Sequence, residues 1–262
     1  MTYELVVVGG GNMGAALVGG LLASGWDAEA LAVCEVSVPR RAQLAVDFPG
    51  VAVGAEVPAT GGAVVAVKPP DAPAAASAAV AAGATRILSI AAGVPLATLE
   101  AATGPAVAVV RAMPNTPALV GQGASAIAAG ASAGEPDLVW AESILGAVGT
   151  VERVEEGDLD AVTALSGSGP AYVFLFAEAL EDAAVLAGLP RPLATRLTTQ
   201  LLVGSAALLA DRGDAAALRV MVTSPGGTTA AGLRVLEERG LRTAFAEAVQ
   251  AARDRSVELG HG

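Results

Sequence analysis

The feature that most constrains the fold is an alternation, over the first 154 residues, between short apolar runs and alanine-rich stretches. The runs are rich in Val, Ile and Leu and are apolar on both faces, as strands covered by helices on each side must be. Because the intervening stretches are long enough for crossover helices, the alternation predicts an open, doubly wound, mostly parallel sheet. The predicted strands span residues 5–8, 31–33, 64–67, 87–90 and 107–110, with edge strands at 124–128 and 150–154 and helices at 72–84 and 137–148.

From about residue 155 onward the pattern becomes helical. Gly188 and Gly240 supply stop signals, and Pro170 stands at a helix start, where its missing N–H costs nothing. The sequence therefore predicts two domains, an α/β domain with a doubly wound sheet over residues 1–154 and an all-α domain over residues 155–262. The predicted helices of the second domain span 171–187, 192–211, 227–239 and 241–259.

Composition adds an expectation about assembly. Hydrophobic residues make up 53% of the chain and charged residues 16%, so the surface must be sparsely charged or partly covered by another copy. We therefore expect an oligomer. The most apolar stretch, residues 197–210, has about fourteen residues against the roughly twenty that a bilayer requires, and it contains Thr198, Gln200 and Ser205. We interpret it as a buried helix and expect no membrane partner.

The charged and reactive residues exclude several classes of function. The formal net charge is −11 without a basic stripe, which excludes nucleic-acid binding. Glu4 stands where a secretory signal would be basic, and the single Cys34 cannot form an internal disulfide, so we expect a reducing, cytoplasmic location. His261 is the only histidine, which argues against a histidine-based triad or zinc site, and no metal is expected.

A glycine motif follows the first predicted strand. Gly9, Gly11 and Gly14 have the G-x-G-x-x-G spacing, between a strand and a helical stretch. Glycine at these positions allows a tight turn, close approach of the backbone to a pyrophosphate, and close packing of helix on strand, so the motif predicts a Rossmann-like dinucleotide-binding domain. Glu35, about 20 residues further on, is placed to bind a ribose 2′-hydroxyl, whereas Arg40 could meet a 2′-phosphate. The residues therefore leave NAD and NADP open.

Three more loops are expected at the same edge of the sheet. Lys68, the only lysine, follows a buried predicted strand, and residues 89–93 and 111–117 follow two others. In open parallel sheets, ligands lie in the crevice beyond the carboxyl ends of the strands. These loops are therefore predicted to border the dinucleotide site.

Five segments resemble the pyrroline-5-carboxylate reductase family, in the family's order and spacing. Together with the glycine motif, they extend the resemblance over essentially the whole chain. The segments are AVKP (66–69), SIAAGV (89–94), RAMPNTP (111–117), LSGSGPAY (165–172) and SPGGTT (224–229).

The resemblance implies an enzyme that reduces 1-pyrroline-5-carboxylate to L-proline, the last step of proline biosynthesis. The implied hydride donor is NADPH or NADH, with NADPH slightly preferred. The all-α domain would be a dimerisation domain in which two subunits intertwine, and such dimers could assemble into larger oligomers. Thr229 is the implied catalytic residue, with its hydroxyl nearest the ring nitrogen, although water is an alternative source of the proton.

The resemblance also implies the binding residues. Those for the cofactor lie in the glycine motif and in the loops after the strands: Gly9, Gly11, Asn12, Met13, Gly14, Glu35, Arg40, Val67, Lys68, Pro69, Ala91, Ala92, Gly93, Pro114 and Asn115. Those for the substrate lie mostly where a predicted helix begins: Glu155, Val222, Gly226, Gly227, Thr228 and Thr229. Independently of the resemblance, a glycine-rich loop at a helix start offers unpaired N–H donors to a carboxylate.

Two alternatives remain open. Another NAD(P)H-dependent imine reductase fits the same loops. A protein that binds a dinucleotide without turnover also fits, because a fold alone does not prove chemistry. A β-hydroxyacid dehydrogenase has a similar domain order but relies on a lysine in its helical domain, and this chain has no lysine there.

Overall fold

The computed structural model describes residues 2–261, except for the side chain of His261. In this part of the chain, eight strands form one sheet: β1 (Tyr3–Val8), β2 (Leu31–Cys34), β3 (Ala52–Gly54), β4 (Thr60–Val65), β5 (Arg86–Ser89), β6 (Ala108–Met113), β7 (Gly123–Ala129) and β8 (Gly149–Arg153). Their order across the sheet is β3-β2-β1-β4-β5-β6-β7-β8. Neighbours pair in parallel except β6 and β7, which are antiparallel. The predicted doubly wound sheet is confirmed.

Helices follow the strands and then continue alone. Those that alternate with the strands are α1 (Asn12–Ala23), α2 (Val38–Asp47), α3 (Ala72–Ala81), α4 (Leu96–Thr103) and α5 (Glu135–Leu145). After β8 come α6 (Leu159–Val162), a π-helical turn (Thr163–Gly167), α7 (Gly169–Leu186), α8 (Arg191–Arg212), α9 (Ala215–Met221), α10 (Thr228–Glu238) and α11 (Leu241–His261). The change from strands to helices after β8 is the one that the sequence predicts.

The sheet is buried on both faces, and β1 shows how. Leu5 and Val7 belong to one core cluster, with side chains of α1 and α5. Val6 and Val8 belong to the other, with side chains of α3, α4 and α6. Successive strand residues point to opposite faces, so a strand buried on both sides must be apolar throughout. Each fully buried Leu or Val side chain stabilises the fold by about 1.5–3 kcal/mol.

By packing, the chain forms two compact units. We call residues 2–168, together with the end of α11 from Ala251, the sheet unit, and residues 169–250 the helical unit. In the sheet unit, the Ser256 hydroxyl donates to the Asp160 carboxylate at 2.6 Å, which ties the end of α11 to α6. The domain boundary predicted after residue 154 follows the end of β8, whereas packing places the division after Ser168.

Helix α8 differs from its prediction. The stretch at residues 197–210 was expected to be a buried helix, but Leu197, Leu201 and Val203 are 53–58% exposed in the single chain. Helix α8 has 22 residues and is the one helix among residues 2–261 that is long and apolar enough to cross a membrane. A stretch of 18 of its residues has a mean hydropathy of 1.3, and 11% of that stretch is buried. The single chain therefore does not bury this helix by itself.

Candidate active site

The glycine loop joins β1 to α1, and its glycines have different geometric roles. Gly9 has φ +106°, a backbone conformation that L side chains rarely adopt. A Cβ on Gly14 would collide with the carbonyl oxygen of Gly9, so glycine there lets the helix approach the strand. Gly11 is the N-cap of α1, and no side chain caps this helix. Its N-terminus therefore presents backbone N–H groups and the positive end of the helix dipole.

Gly11 indicates which kind of ligand the loop fits. Its φ of −63° and ψ of −171° suit any residue, and a Cβ built on it would meet no protein atom within 4 Å. Neither backbone strain nor packing requires glycine here, so the space above Gly11 is open to a ligand that approaches the backbone closely. A pyrophosphate fits this arrangement. The next residues, exposed Asn12 and half-buried Met13, form the first turn of α1.

The conflicting cues for the cofactor, Glu35 and Arg40, both contact the glycine loop. The Gly10 N–H donates to Glu35 Oε2 at 2.9 Å, and the Ser37 N–H donates to Glu35 Oε1 at 2.7 Å. Arg40 Nε donates to the Gly10 carbonyl oxygen at 2.6 Å. The backbone N–H of Gly10 thus holds a carboxylate, and its carbonyl oxygen holds a guanidinium.

Three predicted loops meet at the edge that carries the glycine loop. Because β1, β4, β5 and β6 run parallel, the segments that follow them lie at the same edge of the sheet. Among the predicted cofactor residues there, Lys68, Pro69 and Ala92 are exposed, Val67 and Gly93 are half-buried, and Ala91, Pro114 and Asn115 are buried. The structure therefore brings the predicted cofactor residues of the sheet unit to one edge.

Asn115 uses its side chain within the protein. Its Nδ2 donates to the Ser166 carbonyl oxygen at 3.0 Å, and its Oδ1 accepts from the Ala124 N–H at 2.9 Å. The amide thereby connects the end of β6 to β7 and to the π-helical turn. These contacts favour a role in positioning the edge loop over direct contact with a cofactor.

A buried arginine next to this edge forms an ion pair that the sequence did not predict. Arg111 is 8% exposed, and its NH1 lies 2.9 Å from Glu156 Oε1. The same carboxylate oxygen accepts the Leu96 N–H at 2.7 Å at the start of α4. An arginine in an otherwise apolar strand was the available signal, since a buried guanidinium needs an acidic partner.

Glu155 is separated from the glycine loop by the topology of the sheet. Strand β8 ends at Arg153, which pairs with Ile127 of β7, and Ile127 in turn pairs with Ala112 near the end of β6. Glu155 follows β8 there and lines a cavity of about 480 Å³ with Ile127, Ala129 and Leu138. Its neighbour Glu156 contacts Arg111 and the start of α4, so Glu155 lies on the β6 side of the sheet, several strands away from the glycine loop.

In the helical unit, the segment SPGGTT joins α9 to α10. Gly226 has φ +69°, and the Gly227 N–H donates to the Ser224 carbonyl oxygen at 3.1 Å. Gly227 is the N-cap of α10, and no side chain caps this helix. Thr228 and Thr229 are exposed in its first turn, and Val222, just upstream, is 58% exposed. An uncapped helix N-terminus of this kind can bind a carboxylate.

The structure offers little to metal or thiol chemistry. Within residues 2–261, apart from the His261 side chain, no three His, Cys, Asp or Glu side chains are grouped so that they could hold a metal ion. Burial, with a further contribution from Glu35, raises the pKa of the Cys34 thiol. Because the thiolate is the nucleophilic form, this thiol is not activated.

Comparison with known proteins covers both parts of the chain. Residues 156–259 match a family model described as pyrroline-5-carboxylate reductase dimerisation, and residues 4–93 match one described as NADP oxidoreductase coenzyme F420-dependent. The pyrroline-5-carboxylate reductase of Mycobacterium leprae is 42% identical over 98% of this chain and 96% of its own length.

Two solved structures extend the likeness to three dimensions. A pyrroline-5-carboxylate reductase from Coxiella burnetii has a TM-score of 0.91 and 36% identity, over 99% of both chains. The Plasmodium falciparum pyrroline carboxylate reductase, solved with NADP bound, has a TM-score of 0.85 and 30% identity over 98% of both chains.

The sheet with its glycine loop, followed by the helical unit, defines a dinucleotide-binding oxidoreductase. The matches to family models and relatives give the class a narrower identity. This chain belongs to the pyrroline-5-carboxylate reductase family, so the resemblance predicted from five short segments is confirmed.

Proposed function

We propose that this chain reduces 1-pyrroline-5-carboxylate to L-proline with a reduced nicotinamide dinucleotide. The observation that carries the proposal is the likeness to pyrroline-5-carboxylate reductases over 98% of the chain, which includes both the glycine loop and SPGGTT. The physical roles of the two segments agree with it. The glycine loop presents the uncapped N-terminus of α1 to a pyrophosphate. The SPGGTT segment presents the uncapped N-terminus of α10 to a carboxylate.

The cofactor is NADPH or NADH, which supplies a hydride when bound. Gly9, Gly11 and Gly14 allow its pyrophosphate to approach the first turn of α1. Lys68 and the loop of Ala91, Ala92 and Gly93 border the same edge of the sheet, where they would exclude water and orient the cofactor. The remaining members of this proposed set are Asn12, Met13, Glu35, Arg40, Val67, Pro69, Pro114 and Asn115.

The substrate carboxylate would bind at the start of α10. The backbone at Gly226 and Gly227 turns into the helix, and the first-turn N–H groups of Thr228 and Thr229 face the helix N-terminus. This arrangement holds an anion through backbone donors and the helix dipole, without an arginine. Exposed Val222 lies just upstream and offers apolar surface to the ring.

The reaction does not need a strong general acid. A cyclic imine binds as its iminium, in which the carbon of the C=N bond is already electrophilic. The hydride adds to that carbon, the electron pair of the double bond moves to nitrogen, and the neutral amine then takes part in ordinary proton exchange. Catalysis comes mainly from alignment and electrostatics. Thr229, or a water molecule, exchanges the proton with the ring nitrogen.

The same proposal includes a homodimer through the helical unit. An apolar groove of about 260 Å³ in that unit is lined by aromatic and aliphatic side chains, among them Tyr172, Phe176 and Phe245. A second copy would cover this groove and the exposed side of α8, which then needs no lipid. Larger oligomers of such dimers, and a cytoplasmic location for a protein with one free cysteine, belong to the proposal as well.

Turnover of 1-pyrroline-5-carboxylate tests the function. With NADPH and NADH in parallel, we expect loss of absorbance at the reduced-nicotinamide band and proline as the product. Thr229→Ala should lower kcat about 100-fold, whereas Thr229→Ser, which keeps the hydroxyl, should retain most of it. Both variants should bind dinucleotide like the wild type.

Different failures have different meanings. Unchanged kcat in Thr229→Ala would remove the hydroxyl from the mechanism and leave water as the proton source. Absence of turnover in protein that binds dinucleotide would point to another imine substrate or to a protein that binds dinucleotide without turnover.

A further inference from the structure

A crevice beside the glycine loop is the place for the adenosine half of the cofactor. It has a volume of about 630 Å³, and Val8, Val36, Val57 and Val67 supply much of its apolar wall. It lies beyond the carboxyl ends of β1, β2 and β4, where the strand order reverses around β1. Dinucleotides bind at such a switch point in open α/β sheets. This assignment rests on the proposed function.

The charged groups in the crevice are acidic. Glu56 and Asp71 line it, and its lining contains no lysine or arginine. The negative field reaches the crevice wall at Cys34. Burial contributes most to the raised pKa of that thiol, Glu35 and Glu56 raise it further, and Arg41 opposes them. The 2′-phosphate of NADPH would be repelled by these carboxylates.

Glu35 offers acceptors to a ribose at the rim of this crevice. Its two carboxylate oxygens are held by the N–H groups of Gly10 and Ser37. Each carboxylate oxygen has a second lone pair for a further donor. Ribose hydroxyls can donate to such a fixed carboxylate, whereas a 2′-phosphate brings only acceptor oxygens and about −1.5 to −2 charges near neutral pH.

The two arginines nearby each donate to backbone carbonyl groups. Arg40 donates Nε to the Gly10 carbonyl oxygen and lines a different cavity with Asn12 and Ala15, on the outer side of α1. Arg41 NH1 donates to the carbonyl oxygens of Glu35 and Val36 at 2.8 Å. Neither arginine is among the residues that line the adenosine crevice, although Arg41 lies close enough to oppose the two carboxylates at Cys34.

We propose that this reductase selects NADH over NADPH, with Glu35 and Glu56 as the residues that determine specificity. Glu35 binds the ribose hydroxyls, and Glu56 repels a 2′-phosphate across the crevice. The slight preference for NADPH that the resemblance implies is thereby reversed for this chain. Glu56 was missed from the sequence because it follows β3, a strand of three half-buried residues that the apolar pattern does not mark.

Binding measurements test the proposal without relying on turnover. Calorimetric Kd values for NADH, NADPH, 5′-AMP and 2′,5′-ADP would be compared at low and high salt. We expect wild-type protein to bind NADH about tenfold more tightly than NADPH at low salt, with a smaller gap at high salt because Glu56 is exposed. Glu56→Gln should tighten NADPH and 2′,5′-ADP about fivefold and leave NADH unchanged.

Three further variants separate the roles. Glu35→Gln should weaken NADH selectively, with its thermal stability checked because Glu35 also holds Gly10. Arg40→Gln should weaken NADH and NADPH equally, as expected for a residue that holds the glycine loop through Gly10. Glu152→Gln, an exposed carboxylate on β8 at the far side of the sheet, is the matched control and should change neither Kd.

Tighter or equal binding of NADPH by the wild type would overturn the proposal. Selective loss of NADPH in Arg40→Gln, with no effect of Glu56→Gln, would assign the 2′-phosphate to Arg40 and overturn it too. Failure of the proposed function gives another pattern, in which dinucleotides bind with the predicted preference but 1-pyrroline-5-carboxylate is not reduced.

Discussion

The sheet unit and the helical unit differ in how completely each buries its own apolar side chains. The sheet unit has two core clusters and encloses Leu17, Ile87 and Ile144 completely. In residues 169–250, all of which the structure describes, only Ala194 and Thr198 are buried. Since burial of apolar surface is the dominant favourable term in folding, the helical unit must obtain much of its stabilisation from outside the chain.

This difference in burial corresponds to two different tasks, cofactor binding and assembly. The sheet unit is a self-contained scaffold that presents loops at one edge, as expected for a rigid cofactor site. The helical unit exposes apolar residues such as Phe174 and Leu175, which are 62% and 65% exposed. Contiguous apolar surface of this kind marks an interface. In the proposed dimer, folding of the helical unit and assembly are one process.

The largest expected effect comes from charging the interface. Phe245 lines the apolar groove of the helical unit and is 46% exposed in the single chain. Phe245→Glu should weaken dimerisation at least about 100-fold, because burial of an unpaired carboxylate is costly. Molar mass by light scattering would measure it. Val46→Glu, on an exposed position of α2, is the control, and an unchanged mass for Phe245→Glu would remove this groove from the interface.

A second prediction compares a core position in each unit. Leu17, on α1, is fully buried, whereas Leu201, on α8, is 55% exposed. Leu17→Ala should destabilise the protein by about 2–5 kcal/mol, independently of protein concentration. The effect of Leu201→Ala should depend on concentration, because a residue buried only by a partner acts through association. Thermal unfolding over a range of concentrations tests this, and concentration-independent loss for both would break the comparison.

The same contrast explains how much of the fold the sequence could predict. Strands buried on both faces leave continuous apolar runs, so β1, β2, β4, β5 and β6 were predictable. The three residues of β3 are half-buried and leave no such run. Helix α8 was predicted as a helix but not as an exposed one, because an apolar pattern does not reveal whether its cover lies in the same chain.

For the candidate site, the spacing of the glycine motif could be read from the sequence, whereas the direction of the strands could not. Gly9, Gly11 and Gly14 were predictable because each backbone requirement has a fixed place in the motif. The place of Glu155 was not, because an apolar run is the same for a parallel and an antiparallel strand, and β7 is antiparallel. The contacts of Asn115 and the position of Glu56 in the crevice depend on loops whose paths no periodicity encodes.

Two glycines of the loop allow the structural and the ligand-binding roles of the sheet unit to be tested separately. A Cβ on Gly14 would collide with the Gly9 carbonyl oxygen, whereas one on Gly11 meets open space. Gly14→Ala should therefore lower stability by about 1–3 kcal/mol. Gly11→Ala should leave the melting temperature unchanged and weaken NADH and NADPH together. Calorimetry of unfolding and of binding would separate the two, and a large loss of stability in Gly11→Ala would contradict the ligand-based explanation.

The smallest expected effect lies on the surface of the sheet unit. Arg153 on β8 pairs with Glu135 and Glu142 of α5, with its NH1 2.7 Å from Glu135 Oε2. Hydrogen bonds from Arg153 hold the pKa values of both carboxyl groups below their ordinary value of 4.5. These depressed pKa values mean that the network stabilises the folded state above about pH 4.5, and that the stabilisation is lost as pH falls through the lowered pKa values.

Arg153→Gln should therefore lower the melting temperature slightly at neutral pH and low salt. The difference from wild type should shrink below pH 4.5, as the carboxyl groups become protonated in both proteins. It should also shrink in high salt, because these side chains are exposed and their charges are screened. A difference that grew toward acid, or persisted in concentrated salt, would mean that Arg153 stabilises the junction of β8 and α5 by packing rather than by charge.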